Sequence, residues 1–87
     1  MPRISQFLGI LIYMYYNDHL PPHFHAKYAE YEVLIRIDTL TIFRGELPRR
    51  EQALVIKWAS LHNEELMSNW ELARKGLPVR SIDPLVQ

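Results

Sequence analysis

The chain has 87 residues, which suffice for one small domain, residues 1–87, and leave no room for a second hydrophobic core. It has no cysteine, so disulfide bonds and thiolate catalysis are excluded, and this composition is typical of a cytoplasmic protein. Ten lysines and arginines balance ten aspartates and glutamates, whereas a nucleic-acid-binding protein usually has a basic excess.

The N-terminal residues lack the pattern of a signal peptide, and the apolar run 7–16 is too short to cross a membrane. We therefore expect no membrane association. With 48% hydrophobic residues the chain can fold, although a domain of this size is only marginally stable alone. A homo-oligomer or a partner protein would add to its stability.

The first half of the chain, residues 1–45, predicts an antiparallel meander of three or four strands. Residues 9–16 are rich in β-branched and aromatic side chains, which predicts a mostly buried strand. Apolar and polar side chains then alternate over residues 24–28 and again over residues 31–37, which predicts two strands with a tight turn near Ala29 and Glu30 between them. A last short strand covers residues 41–44 and is ended by Gly45.

The second half predicts a helical layer, residues 48–76, and a tail, residues 77–87. Pro48 suits a first helical turn, and one apolar stripe at helical spacing contains Leu54, Val55, Trp58, Leu61 and His62. Glu65 would fall inside that stripe, so we predict a break near His62 and Asn63, with Asn63 capping a second helix. Gly76 is a good helix stop. The second helix and the tail present their own apolar residues, Leu66, Trp70, Ala73, Ile82 and Leu85.

These elements predict an α+β domain of two layers, in which the N-terminal sheet packs on two C-terminal helices. A lone hairpin and a lone amphipathic helix are both marginal in water, so each layer needs the other. The two tryptophans, Trp58 and Trp70, are the expected large side chains of the interface between them.

A histidine turn precedes the second predicted strand. His19, His23 and His25 lie within seven residues around the stiff Pro21–Pro22 pair, and Asp18 comes directly before them. Histidine titrates near neutral pH, transfers protons and binds metals. This turn is therefore the candidate catalytic centre.

Three interpretations of the turn stay open. His23 and His25 share one face of an extended strand, and with His19 or Asp18 they would form a three-ligand zinc site with an open position. Without a metal, two histidines in opposite protonation states would serve as base and acid in RNA cleavage, and no cofactor is then expected. In the third interpretation the rings are structural and bond the backbone.

Candidate binding residues surround the turn in the sequence. Tyr15 would orient a histidine or stack on a base, and a nearby cation would stabilise phosphorane charge. The first predicted helix carries further cations that would meet phosphates or an acidic partner, although acidic residues on the same face make a solvated surface the simpler interpretation. The candidate cations are Lys27, Arg36, Arg44, Arg49, Arg50 and Lys57.

The signature His19-x-Pro-Pro-His-Phe-His25, with Asp18 before it, resembles a family of small bacterial and archaeal proteins, the domain-of-unknown-function family 4160. Other matching motifs cover nearly the whole chain: Pro2-x-Ile4-Ser5-x-Phe7-x-Gly9-Ile10, Met14-Tyr15-Tyr16, Tyr31-Glu32, Gly45-x-Leu47-Pro48, Trp58-x-x-x-His62, Leu66 and Asn69-Trp70. Ala29 stands where relatives usually carry glycine.

The resemblance implies a toxin-like component of a toxin–antitoxin gene pair, with a small cognate antitoxin as its partner. We expect such a protein to act on RNA or translation through the histidine turn, with a metal-free ribonuclease as the enzyme class if it is one. A non-catalytic interaction or regulatory module and a small metal-dependent hydrolase remain as alternatives.

Overall fold

The computed structural model describes residues 2–86 and contains one five-stranded sheet and two helices. Neighbouring strands are antiparallel, and their spatial order, β1-β2-β3-β4-β5, follows the chain. The α+β class and the antiparallel sheet are therefore confirmed, and the sheet has five strands where three or four were predicted. The elements are β1 Arg3–Phe7, β2 Ile10–Tyr13, β3 His23–Tyr28, β4 Tyr31–Arg36, β5 Ile42–Glu46, α1 Arg49–Leu61 and α2 Asn63–Arg74.

The additional strand is β1, which forms a hairpin with β2. Phe7 pairs with Ile10 across the two-residue loop of Leu8 and Gly9, whose φ values are 51° and 80°. Two successive positive φ values are typical of the tight turn that suits the twist of an antiparallel hairpin. The single predicted strand over residues 9–16 is shorter in the structure, because the chain leaves the sheet after Tyr13.

The predicted hairpin of β3 and β4 is confirmed, with its turn at Ala29 and Glu30. Tyr28 pairs with Tyr31, and Ala29 has a φ of 51°. Alternation along β3 buries Phe24 and Ala26 completely in the helix-covered core. The intervening side chains, including those of His25 and Lys27, lie on the opposite face and are half-buried.

Gly45 does not end the last strand as predicted but lies inside β5, where it pairs with Val33. It has a φ of 79°, and a Cβ at this position would collide with the backbone carbonyl oxygen of Glu32. Leu34 pairs with Arg44 while Ile35 pairs with Ile42, so Phe43 is the extra residue of a β-bulge. The glycine is therefore required by close approach of two backbones.

The predicted break between the helices is confirmed at His62, but two details differ. Asn63 is the first residue of α2 and not its cap: its side-chain amide donates to the Ile37 carbonyl at 2.7 Å and ties the helix junction to the sheet. Leu61, placed on the buried stripe, is 65% exposed. At 100° per residue Leu61 lies roughly 110° from the centre of the buried residues of α1, which are Val55, Trp58 and Ala59, so the helix turns it toward solvent.

The tail lies on the core, as predicted for Ile82 and Leu85. Gly76 follows the end of α2 with a φ of 71°, and its N–H donates to the Ala73 carbonyl while that of Leu77 donates to Leu72. Ile82 then donates its N–H to the Ile4 carbonyl at 2.8 Å, along the outer edge of β1. The tail therefore covers one edge of the sheet.

The helices cover only one face of the sheet. The Trp58 ring lies 5.4 Å from that of Phe7 and 5.9 Å from that of Phe24, and it is fully buried. On the opposite face His25 and Leu34 are half-buried and Arg44 is exposed, and Trp70 of α2 reaches His23 at its border. Neither helix is long and apolar enough to cross a bilayer.

The left-handed conformation of Ala29 predicts a stabilising substitution. A residue with a side chain loses about 1–2 kcal/mol of stability in this conformation. Glycine avoids this loss, but its more flexible unfolded chain costs about 0.5–1 kcal/mol on folding. Ala29→Gly should therefore raise the free energy of unfolding by about 0.5–1 kcal/mol in urea denaturation. Gly45→Ala is the matched reverse change and should lower it by at least about 2 kcal/mol, because its Cβ meets backbone. Equal effects of the two changes would contradict the assigned turn and bulge.

Candidate functional site

The connection between β2 and β3 holds Asp18 above the start of β3. The backbone N–H of Asn17 donates to the Ala73 carbonyl of α2 at 3.4 Å, which anchors the first half of the connection. Its second half is anchored by Pro22, whose carbonyl accepts the N–H of Ile37 at 3.0 Å. The Leu20–Pro21 peptide bond is cis. Both ends of the histidine turn are thus fixed to other elements.

Two histidines of the turn converge on one carboxylate oxygen. Oδ2 of Asp18 lies 2.9 Å from Nε2 of His23 and 3.1 Å from Nε2 of His25. Since β3 places His23 and His25 on the same side of the strand, the same atom of each ring meets Asp18. The sequence prediction that these residues gather at one point is therefore met in the geometry.

The other nitrogen of each ring is also engaged. Nδ1 of His23 lies 2.8 Å from the Pro21 carbonyl oxygen, and Nδ1 of His25 lies 3.2 Å from Oε2 of Glu32. A backbone carbonyl can only accept a hydrogen bond, so Nδ1 of His23 is the donor there. Nδ1 of His25 faces a carboxylate oxygen, which is an acceptor when the group is ionised. Both rings are therefore held in a fixed orientation from behind.

The two imidazoles have different surroundings. His23 is 3% exposed and packs against Trp70 and Phe43, with ring centroids 5.3 Å and 5.2 Å away. His25 is half-buried, and Tyr15 meets its ring edge-on at 4.3 Å. His23 is therefore walled in by α2 and β5, whereas His25 borders the uncovered sheet face.

Asp18 is held in its ionised form. Burial alone would raise the pKa of this carboxyl, but the hydrogen bond from His25, the backbone N–H of His19 and the charges of both imidazoles outweigh burial. The net effect lowers the pKa of Asp18 below its ordinary value of 3.8. A carboxylate in this state is an acceptor or a ligand, not an acid.

The same three residues have the composition and spacing of a metal site. One ligand atom from each of Asp18, His23 and His25 lies within 4.8 Å of the other two. His19 takes no part in this group: it is exposed, and its contact with Asp18 is a backbone N–H at 2.8 Å. Of the two third ligands considered from the sequence, the geometry therefore brings Asp18, and not His19, to the pair.

Several predicted binding residues share the open face with His25. Tyr13, His25, Leu34 and Arg44 form one cross-strand row from β2 to β5. In the next row Lys27 pairs with Glu32, and its ammonium lies 4.8 Å from the centre of the Tyr13 ring.

The hydroxyl of Tyr15, followed by the charge of Glu32, raises the pKa of Lys27. Tyr15, Lys27 and Arg44 are thus near the centre, and their binding roles remain predictions.

Of the remaining predicted cations, Arg36 is the direct cross-strand neighbour of His23, whereas those on α1 lie elsewhere. Arg36 donates two hydrogen bonds to Asp38, at 2.7 Å and 2.9 Å, so its guanidinium already has an anionic partner. Arg49, Arg50 and Lys57 are exposed on α1. Arg50 and Lys57 lie opposite the face that carries Val55, Trp58 and Ala59 into the core, so they point away from the sheet.

Sequence reasoning missed Glu32, Phe43 and Trp70. A signal for Glu32 was available, because a two-residue turn at Ala29 and Glu30 pairs Lys27 with Glu32 and so places Glu32 diagonally across from His25. Phe43 and Trp70 could not be found in this way. A bulge and the packing of α2 bring them to His23.

The lowered pKa of Asp18 predicts an acid-sensitive contribution to stability. In the folded chain Asp18 stays ionised at pH values where the unfolded chain binds a proton, so its contribution is present above pH 3.8 and is lost as the pH falls through the lower folded pKa. The difference in free energy of unfolding between wild type and Asp18→Asn should therefore shrink in urea denaturation from pH 5 to pH 2.5.

Asp38→Asn is the control for a surface pair, since the hydrogen bond from Arg36 lowers the pKa of Asp38 at an exposed position. Its effect at pH 5 should be smaller, because solvent screens exposed ion pairs. A pH-independent difference for Asp18→Asn would contradict the assigned role of this carboxylate.

The family model for a domain of unknown function, DUF4160, matches residues 9–71. This match covers more than half of the chain and includes Asp18, His23, His25 and Glu32, and the chain belongs to this family. The resemblance noted from the histidine signature is thereby confirmed. No curated protein and no solved structure matches the chain.

Proposed function

We propose that this protein is the toxin-like component of a prokaryotic toxin–antitoxin pair and that it cleaves RNA at the centre formed by Asp18, His23 and His25. The convergence of two imidazoles on one ionised carboxylate, at the border of an uncovered sheet face, carries this proposal. A structural histidine can satisfy its polar atoms without a second histidine on the same carboxylate oxygen. Bringing three polar groups together away from water also costs desolvation energy, which a scaffold has no need to incur.

The open face offers the cations that a phosphodiester substrate requires. Arg44 lies in the same cross-strand row as His25, two strands away, which corresponds to about 10 Å at the usual strand spacing. Lys27 is two residues from His25 on the same face. Phosphates of a strand crossing this face would meet both cations, and Tyr15 beside His25 would stack on a base.

The chemistry would begin with the ribose 2′-hydroxyl. This group loses its proton to the centre, its oxygen attacks the adjacent phosphorus, and the bond from phosphorus to the 5′-oxygen of the next nucleotide breaks as that oxygen takes a proton from the centre. Lys27 and Arg44 would stabilise the charge that develops on the phosphorane oxygens. Both Nε2 atoms face Asp18, and His23 is buried. Two histidines that act separately as base and acid are therefore not favoured. Proton transfer would occur where the two Nε2 atoms meet Oδ2 of Asp18.

Apolar side chains around the turn would suit the cognate antitoxin. Tyr16 is 43% exposed, Leu20 is 67% exposed, and Phe43, which packs on His23, is 42% exposed. Large exposed side chains near a polar centre are typical of a protein interface. An antitoxin seated on them would cover the centre and stop RNA from reaching it.

A non-catalytic interaction module is the second candidate function. The burial of His23 and its bond to the Pro21 carbonyl favour it, because a structural histidine has these properties. In that case binding would use the open sheet face or the Arg49, Arg50 and Lys57 surface, and loss of an imidazole would act only through stability.

Inducible expression tests the proposal. Wild-type protein should arrest growth, and His25→Ala and Asp18→Asn should each abolish the arrest, because each removes one side of the convergence. His62→Ala is the matched control: this histidine also contacts a carboxylate, Glu65 at 2.6 Å, but it lies at the helix junction. It should leave the arrest intact. Circular dichroism confirms that each variant is folded.

A direct assay with purified protein and single-stranded RNA identifies the reaction. The proposed step leaves 2′,3′-cyclic phosphate and 5′-hydroxyl ends, and cleavage should fall at least 100-fold in His25→Ala. Absence of growth arrest and of RNA cleavage in the wild type would overturn the proposal. So would arrest that persists in folded His25→Ala and Asp18→Asn, a result that would favour the interaction module.

A further inference from the structure

We infer that Asp18, His23 and His25 bind one divalent transition-metal ion of the zinc class. This inference rests on the proposed function and deepens it by naming a cofactor class: the ion would occupy the Nε2 and Oδ2 atoms, and water bound to it would accept the proton in their place. Metal binding itself is measured separately from RNA cleavage.

The ligand atoms have the spacing of one coordination sphere. Bonds of about 2.0–2.2 Å at a tetrahedral angle place two ligand atoms about 3.3–3.6 Å apart. Oδ2 of Asp18 lies 2.9 Å and 3.1 Å from the two Nε2 atoms, and all three ligand atoms lie within 4.8 Å of each other. To admit the ion, Oδ2 would move away from each Nε2 by a few tenths of an ångström, and the two Nε2 atoms would have to lie at the same tetrahedral spacing.

The hydrogen bonds behind the rings have the arrangement of an outer coordination shell. Ligating histidines usually donate their other ring N–H to a backbone carbonyl or a carboxylate, which fixes the tautomer and the ring orientation. His23 does so to Pro21, and His25 does so to Glu32. In a purely structural cluster, one hydrogen bond per ring would be enough. Here the Nδ1 atom of each ring has its own partner, and both Nε2 atoms point to Oδ2 of Asp18.

A metal ligand presents a lone pair, and an imidazole that donates from Nδ1 can present one at Nε2. The bonds from both Nε2 atoms to Asp18 would be replaced by bonds to the ion, with any proton at Nε2 released to solvent.

The donor set selects the class of metal. Two imidazole nitrogens and one carboxylate oxygen suit zinc and neighbouring first-row ions, whereas calcium and magnesium prefer all-oxygen sites. Trp70 and Phe43 close the side of His23, and His25 borders the open face. A fourth coordination position would therefore open toward the substrate face, where a bound water of lowered pKa would be available.

Zinc titration of metal-free protein tests the inference, with isothermal calorimetry for affinity and stoichiometry. We expect one ion per chain. Asp18→Asn and His25→Ala should each weaken binding at least 100-fold, and His62→Ala should change it less than twofold. Glu32→Gln should weaken binding about 10-fold, since it disturbs only the orientation of His25. His23 is not varied, because it is buried and its removal threatens the fold.

Cobalt(II) provides a spectroscopic measurement on the same variants. Wild type and Glu32→Gln should show the same visible bands once saturated, because Glu32 is a positioning residue and not a ligand, whereas Asp18→Asn should lose them. Zinc affinity weaker than 1 mM, or binding unchanged in both Asp18→Asn and His25→Ala, would overturn the inference.

The two proposals fail in different ways. Stoichiometric zinc binding that depends on Asp18 and His25, without growth arrest or RNA cleavage, would leave the metal site and remove the ribonuclease. RNA cleavage by protein that binds no zinc or cobalt, and that is unaffected by a chelator, would remove the metal site and leave the ribonuclease.

Discussion

The contact of one Asp18 oxygen with His23 and His25 is the constraint on which the candidate site depends. Asp18 belongs to the connection before β3, and both histidines belong to β3 itself, so this contact closes the connection over the strand. The closure is possible because the connection is held at both ends, by α2 through Ala73 and by the end of β4 through Ile37. An ionised carboxylate in a partly buried position is stable only with such partners. The fold and the site are therefore coupled through a single carboxylate.

The uneven covering of the sheet decides which chemistry is available. Alternation along β3 sends Phe24 and Ala26 to the helices and His25 and Lys27 to the open face. The helical layer supplies hydrophobic stability through Trp58, so the open face is not needed for the core and can carry polar groups. His23 links both regions, because it faces Asp18 on one side while Trp70 of α2 packs on it. His23 is thus the more enclosed of the two rings, and His25 is the more accessible.

Much of the architecture follows from local rules. The hairpin of β3 and β4, the break at His62 and the helix stop at Gly76 each result from a short pattern whose physical cause lies within a few residues. The sequence pattern predicts less where contacts between distant segments determine a strand boundary, a required glycine or the burial of a side chain. β1 is bounded by a turn without the usual polar residues, and Gly45 is required by the Glu32 carbonyl on the neighbouring strand. Leu61 was assigned to the buried stripe, but the packing of α1 leaves its side of the helix facing solvent.

The residue pattern alone determined the fold class, the place of the histidine turn and the shared face of His23 and His25, because these depend on backbone periodicity and on proline and glycine geometry. The family match over residues 9–71 includes that turn. Tertiary packing decided that Asp18 rather than His19 meets the pair, that Glu32 and Pro21 hold the rings from behind, and that Trp70 and Phe43 enclose one of them. These choices bring together atoms from separate strands, a loop and a helix, and their positions are set by strand register, a bulge and helix docking that no local spacing encodes.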